Sequence, residues 1–411
     1  MKTTTKLLAT TVVMATGLLT ACSSSGSNSP GSTSSGAAAG TPIIIGNVGS
    51  YSGPTSSNSG GYRAGLNLWR DYINANGGIN GHPVQIKSVD DAGDPTKALT
   101  LVKGLVQDDH IVAMLAPASA ALGWQQYVSD AGIPAITASG YYGVSPGLTF
   151  SAETSLDTND QTQVIMAKKA GAKSYAFIYC AEIAACQKGK EANQTYAQKY
   201  GLTYSSYSAS GSAPDYTATC LSMKNASVDA VALDAFPATS SRLVADCARQ
   251  NFHPIYVTVG VALTPEMTQN KNFDGILVSL IDFPWLAQDN PAEKTFHDAI
   301  QQFNPGLVNT PADYNANLSA TWAAAMTFTK AAKAAADPTK ASELIKGLAT
   351  IRNDNVGGLT PPLTFASSNL PDNPKAYVQP DVSCFFVIQG KNGTWVRPDW
   401  TDQNSSACLS S

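Results

Sequence analysis

The chain has 411 residues, of which 14% are charged, and a formal net charge of −4. A single core stops growing at roughly 250–300 residues, so this length predicts two domains. The low charge and the absence of any Lys/Arg run exclude a nucleic-acid partner of the usual basic kind.

Lys2 and Lys6 form a short basic region ahead of the mostly apolar stretch 7–19. That stretch is too short and too weakly apolar to span a bilayer and reads as a secretory signal peptide, residues 1–21. It ends Leu19-Thr20-Ala21-Cys22, which resembles a bacterial lipobox. The resemblance implies cleavage before Cys22 and a diacylglycerol on its thiol, so the mature protein is expected outside the cytoplasm, held to the cell membrane. Residues 22–41 are nearly all Ser, Gly, Ala, Asn and Pro and bury too little apolar area to fold. They read as a flexible tether.

Beyond the tether, strand and helix signals alternate. Ile43-Ile44-Ile45-Gly46 is a β-branched run, and Tyr62, Leu66, Trp69 and Ile73 then recur at helical spacing. Strands are predicted at 84–89, 111–115 and 133–136, with Pro95 opening a helix. A second series runs through 175–179, 228–233, 255–259 and 276–280. The alternation predicts an α/β protein of two doubly wound, mainly parallel sheets. Ligands of such sheets bind beyond the carboxyl ends of the strands.

Seven cysteines are present, and six remain once Cys22 is set aside. In an exported protein an even number favours disulfides. Chain order favours Cys180–Cys186, Cys220–Cys247 and Cys384–Cys408, one of fifteen possible pairings. Zinc is the competing reading, but there is no Cys-x-x-Cys and no His cluster. No metal and no cofactor are expected. Asp90, Asp91 and Asp94 lack the ligand alternation and final Glu of a calcium loop and read as turn and helix caps. Gly77 and Gly78 read as turn-formers with positive φ.

Gly143-Val144-Ser145-Pro146-Gly147 matches the Gly-x-Ser-x-Gly nucleophile elbow. The oxyanion hole of that elbow needs the N–H after the serine, and Pro146 has none. His82, His110, His253 and His297 show no catalytic spacing. The chain is not expected to be an enzyme.

Ser52-Gly53-Pro54, the turn Asn76-Gly77-Gly78-Ile79-Asn80-Gly81, Asp90-Asp91 with Asp94-Pro95, and the late Val356-Gly357-Gly358 with Thr364-Phe365 resemble the leucine/isoleucine/valine-binding family of type I periplasmic binding proteins. The final strand at 385–388 with Trp395 belongs to the same pattern. The resemblance covers about residues 42–400. It implies two Rossmann-like lobes joined by three chain crossings near residues 156, 283 and 380. Lobe one would be 42–156 plus 284–380, and lobe two 157–283 plus 381–411. It also implies a monomer that closes on a small-molecule ligand and hands it to an ABC permease. A ligand sensor of the same fold signalling to another membrane protein is the alternative, since fold does not fix function.

The family holds an amino-acid carboxylate in lobe one with hydroxyls and backbone N–H groups after two strands. The matching positions are Ala118 and Ser119, then Ser139, Gly140 and Tyr141, with Asn58 in the first loop. Ser119 reads as an anion contact at a helix N-terminus, or as a plain cap. Trp124 reads as cleft wall or core. Tyr142 and Trp285 add apolar surface near the cleft. In lobe two, the family's aromatic after strand 175–179 falls near Cys186, and its ligand tyrosine near Phe236. The acid expected after strand 255–259 is missing, since that segment reads Gly260-Val261-Ala262-Leu263. An unpaired buried ammonium is expensive. Either Asp234 supplies the acid from a neighbouring strand end, or the ligand is less cationic than leucine, a small carboxylate-bearing or acceptor-rich compound.

Overall fold

The computed structural model describes residues 38–53, 56, 59–119, 123–138, 147–182, 184–287, 290–367, 370, 372–374, 377, 379, 382–400 and 407–409. Its first sheet contains β1 (Ile43–Gly49), β2 (Val84–Asp90), β3 (Ala113–Leu115), β4 (Ala135–Thr137) and β5 (Thr149–Ser151) in the order β2-β1-β3-β4-β5. All of its pairings are parallel. Between these strands lie α1 (Gly60–Ala75), α2 (Pro95–Gln107) and α3 (Gln125–Asp130). Asp94 caps α2 by accepting from the Thr96 and Lys97 N–H groups, and Pro95 occupies the first turn, where no N–H is needed.

The second half begins with α4 (Leu156–Lys169), then β6 (Ser174–Cys180), α5 (Ala184–Lys199), β7 (Thr203–Ala209), α6 (Thr217–Asn225), β8 (Ala230–Asp234), α7 (Pro237–Arg249), β9 (Ile255–Val259) and β10 (Leu277–Leu280). Three helices follow, α8 (Pro291–Phe303), α9 (Ala316–Ala334) and α10 (Ala341–Leu348). The chain ends in β11 (Cys384–Lys391), β12 (Thr394–Val396) and β13 (Ala407–Cys408). The second sheet has the order β12-β11-β10-β9-β8-β6-β7, with β13 paired to β11. The pairings of β11 are antiparallel, whereas β6 to β10 run parallel. The fold is thus the expected α/β arrangement of two doubly wound sheets.

Both faces of each sheet are covered. Along β6 the side chains alternate, Tyr175 and Phe177 entering one core cluster and Ala176 and Ile178 another. That is the period of two of a strand buried on both sides. The first sheet carries Val48, Val102 and Trp124 on one face. Helices α1 and α9 cover the other face. The Trp69 indole N–H of α1 donates to Thr329 Oγ1 of α9 at 2.9 Å. Helix α9 is Ala-rich and buried nearly all round, so α1 can approach it closely. Gly65 marks the closest approach, where an added Cβ would lie 2.7 Å from Thr321 Cβ.

Sequence periodicity misses β7 and β5. Strand β7, Thr-Tyr-Ser-Ser-Tyr-Ser-Ala, is an edge strand with half-exposed polar positions. Strand β5 has only three residues. Both are specified by their parallel neighbours β6 and β4 rather than by their own apolar content. The turn glycines behave as expected, with φ of 85° at Gly77 and 72° at Gly78.

The three segments near the expected crossings lie side by side. Gln379 Nε2 donates to Ser151 O at 3.0 Å, and Gln379 Oε1 accepts from Ser151 N at 2.5 Å. Thr154 N donates to Ile281 O at 2.9 Å, and its hydroxyl donates to Cys384 O. Two disulfides are formed, Cys220–Cys247 between α6 and α7 and Cys384–Cys408 between β11 and β13. Cys180 is also disulfide-bonded, while the side chain of its expected partner Cys186 lies outside the described residues.

Candidate functional site

Each sheet has a place where its chain order reverses. In the first it lies between β1 and β3, in the second between β6 and β8. Such points leave a crevice beyond the strand ends, the usual ligand position in open α/β sheets.

On the β8 side of the second switch point lies a cavity of about 220 Å³. Its floor comes from the ends of β8, β9 and β10, including Asp234, Gly260 and Asp282. One wall is the start of α4, with Asn159 and Asp160, and the opposite wall is Tyr62 of α1 with Ala316 and Asn317 of α9. The cavity therefore joins elements packed on both sheets.

Its electrostatics are acidic. Asp234 closes β8 in a desolvated position, and burial alone raises its pKa to about 6. Among the described residues it has no hydrogen-bond or ion-pair partner. Gly189 of α5 leaves room for it, since a Cβ there would sit 3.2 Å from Asp234 Oδ2. Asp282 is fully buried. Burial pushes its pKa well above the usual carboxyl range, and nearby Glu153 pushes it further the same way. Ser319 Oγ donates to Asp282 Oδ1 at 3.2 Å. Asp160 Oδ1 accepts from Gln163 Nε2 at 3.4 Å, and Ser279 Oγ donates to Asn159 Oδ1 at 2.5 Å. No Lys, Arg or His lines the cavity among the described residues. Val261 at the mouth is 67% exposed, an apolar surface open to the cleft.

The first switch point has a different character. Ala118 sits beside β1, its N–H donating to Val48 O at 2.8 Å. Asp91, just past β2, is fully buried. It accepts from Ser50 Oγ at 2.7 Å, from Gly93 N at 2.7 Å and from the Ser119 hydroxyl. The cap expected of Asp91 is therefore also a bridge across three strand ends. Residues 120–122, which follow Ser119, lie outside the described residues, and α3 begins beyond them at Gln125 with Trp124 in the N-cap position.

Of the expected contacts, Asp234 alone lines the cavity among the described residues. Phe236 does not line it. It is 43% exposed in the N-cap position of α7, whose first residue is Pro237. Asn58, Ser139, Gly140 and Tyr141 lie outside the described residues, as does most of the 143–147 motif. Trp124 is core rather than cleft wall, and Trp285 is fully buried edge-on to Tyr314 at 5.0 Å. Sequence reasoning misses Tyr62, Asn159, Asp160, Asp282 and Asn317. The one available signal was an acid directly after an apolar strand, Ser279-Leu280-Ile281-Asp282. The run 158–163 is so polar that it reads as a loop, yet it is buried in α4. Among the described residues no cluster of His, Cys, Asp and Glu could hold a metal, and no helix is long and apolar enough to cross a membrane.

Comparison with known proteins agrees with the fold. The profile of the family described as periplasmic binding protein matches residues 42–379. A curated amino acid binding protein of Pseudomonas aeruginosa is 32% identical over 97 residues, which span 23% of this chain and 26% of that protein. A structure of a branched-chain amino acid ABC transporter protein from Thermus thermophilus with bound valine superposes with a TM-score of 0.72 at 14% identity, covering 90% of this chain and 97% of that one. A fatty acid ABC transporter substrate-binding protein from Thermomonospora curvata gives 0.67 at 17% identity over 90% and 93%. A Rhodopseudomonas palustris solute-binding protein in complex with benzoate gives 0.64 at 16% over 90% and 98%. At such identities the likeness establishes the fold alone. With the profile spanning most of its length, this chain belongs to the periplasmic binding protein family, in its type I form.

Proposed function

We propose that this chain is an extracytoplasmic solute-binding lipoprotein that captures a small organic ligand between its lobes and delivers it to an ABC permease. The observation that carries the reading is the cavity beyond the ends of β8, β9 and β10, walled by α4 and by α1 and α9. A ligand seated there touches elements packed on both sheets, so its binding energy favours the closed arrangement. Lobe one is taken as 42–156 plus 284–380 and lobe two as 157–283 plus 381–411. The hydrogen bonds joining 151–154, 281, 379 and 384 support a hinge there. The carboxyl groups around the cavity favour a solute that carries an amino group. The protein acts as a monomer, tethered through a lipid on Cys22.

The test uses protein purified from its native membranes. Denaturation should release a small organic solute in near-stoichiometric amount, identified by mass spectrometry. Deleting the gene should abolish high-affinity uptake of that solute. A protein that carries no solute and whose loss leaves uptake unchanged is not a transport component. Cys22→Ser should release the protein from membranes or leave it unprocessed, and normal membrane retention of that variant would remove the anchor.

A further inference from the structure

We infer that the cleft selects an organic cation without a carboxylate, a protonated amine on a compact apolar body, because among the described residues Asp234 stands unpartnered in a cavity lined by acids while the Ser50 and Ser119 hydroxyls at the first sheet's switch point are already taken by Asp91. The inference rests on the solute-capture reading above and names the chemistry of the solute.

Two separate observations carry it. Asp160, Asp234 and Asp282 line one cavity, and no cationic side chain lines it among the described residues. Burial and Glu153 both disfavour charge on Asp282, and its carboxyl already accepts from the Ser319 hydroxyl. Asp234 differs, because desolvation is the only influence on its titration and no donor reaches it among the described residues. A desolvated carboxylate without a partner is costly, and a bound ammonium removes that cost.

The second observation lies at the opposite strand ends. A ligand carboxylate needs free donors. The Ser50 and Ser119 hydroxyls both donate to the carboxyl of Asp91, one to each oxygen. The backbone N–H of Gly93 joins them. These groups form a closed set around an anion that the chain itself provides. A second anion beside it would find the hydroxyl protons engaged and a like charge behind them. The apolar body follows from Leu156, Val259, Leu280 and exposed Val261, which line the same cavity.

Three probes sharing the leucine skeleton decide the question by calorimetry on the full mature chain at pH 7.5. They are 3-methylbutylamine, leucine and 4-methylpentanoate, respectively cation, zwitterion and anion. The amine should bind at least tenfold tighter than leucine, and the acid should give no heat. Asp234→Asn should weaken the amine at least tenfold and leave the melting temperature within a few degrees. If that variant does not fold, the wild-type order still decides. Leucine or 4-methylpentanoate binding as tightly as the amine overturns the inference, and so does the absence of heat with all three. Mass spectrometry on the native protein separates the two levels of the argument. A released anionic or zwitterionic solute leaves transport standing and removes the cation, whereas the absence of any solute removes transport itself.

Discussion

Ser319 on α9 donates its hydroxyl to the buried carboxyl of Asp282 at 3.2 Å, tying a helix packed on the first sheet to the end of the second sheet's β10. The Asp282 pKa is raised well above that of an ordinary carboxyl, chiefly by burial. A raised acid pKa means that the folded chain holds a proton the unfolded chain releases. Stability is therefore lost as pH climbs from the unfolded value of about 4 through the folded one. Asp282→Asn keeps the shape and the acceptor without the titration. Its melting temperature at pH 8 should exceed wild type by at least about 2 °C, the shift of ~1 kcal/mol in a chain of this size. Melts at pH 5 and pH 8 check this, and a variant that melts lower at pH 8 would refute the buried protonated carboxyl.

Asp234 predicts how ligand binding depends on pH. Desolvation lifts its pKa to about 6, so it is mostly neutral at pH 5 and charged at pH 7.5. The other titratable groups around it among the described residues are Asp160, Asp282 and Tyr62 at the cavity and Tyr175 and Tyr179 on β6. Affinity for 3-methylbutylamine should rise roughly tenfold from pH 5 to pH 7.5, the ratio of ionised fractions. Titration calorimetry at the two values measures it. Flat affinity across that range would take Asp234 out of the site.

The disulfide Cys220–Cys247 closes a loop of 27 residues between α6 and α7. Loop entropy assigns it roughly 3–4 kcal/mol. The double variant Cys220→Ser, Cys247→Ser should lose about that much in denaturant unfolding. Thiol titration of the denatured, unreduced mature chain should find none of the six downstream cysteines free. Two or more free thiols would break the third pair, Cys180–Cys186.

Gly65 tests the packing of α1 on α9. Alanine is the better helix former by about 1 kcal/mol, so propensity alone predicts stabilisation. The added Cβ would meet Thr321 Cβ at 2.7 Å and Leu318 O at 2.9 Å. Overpacking of that kind costs ~1–3 kcal/mol. Gly65→Ala should therefore lower the melting temperature, and an increase would mean that the two helices can move apart freely.

Short-range pattern was enough for the alternation of strands and helices, the caps at Asp94 and Pro95 and the turn at Gly77-Gly78. Each of these depends on neighbours a few residues apart or on a motif whose spacing is visible in one dimension. Asp234 was legible for the same reason, as an acid closing an apolar strand. The site was less so. Its walls come from Tyr62, Asp160, Asp282 and Asn317, which are far apart along the chain and share no motif. Asp160 stands in a polar run that looks solvated, and only the packing of α4 against β9 and β10 buries it. Ser119 showed the reverse. Its sequence suits an anion contact, but the fold brings Asp91 from the end of β2 to its hydroxyl. Composition and periodicity determine which segments become strands and helices, because those preferences are local. Which carboxyl is buried, paired or left facing the cavity depends on desolvation and on partners from distant segments, and only the tertiary structure decides those.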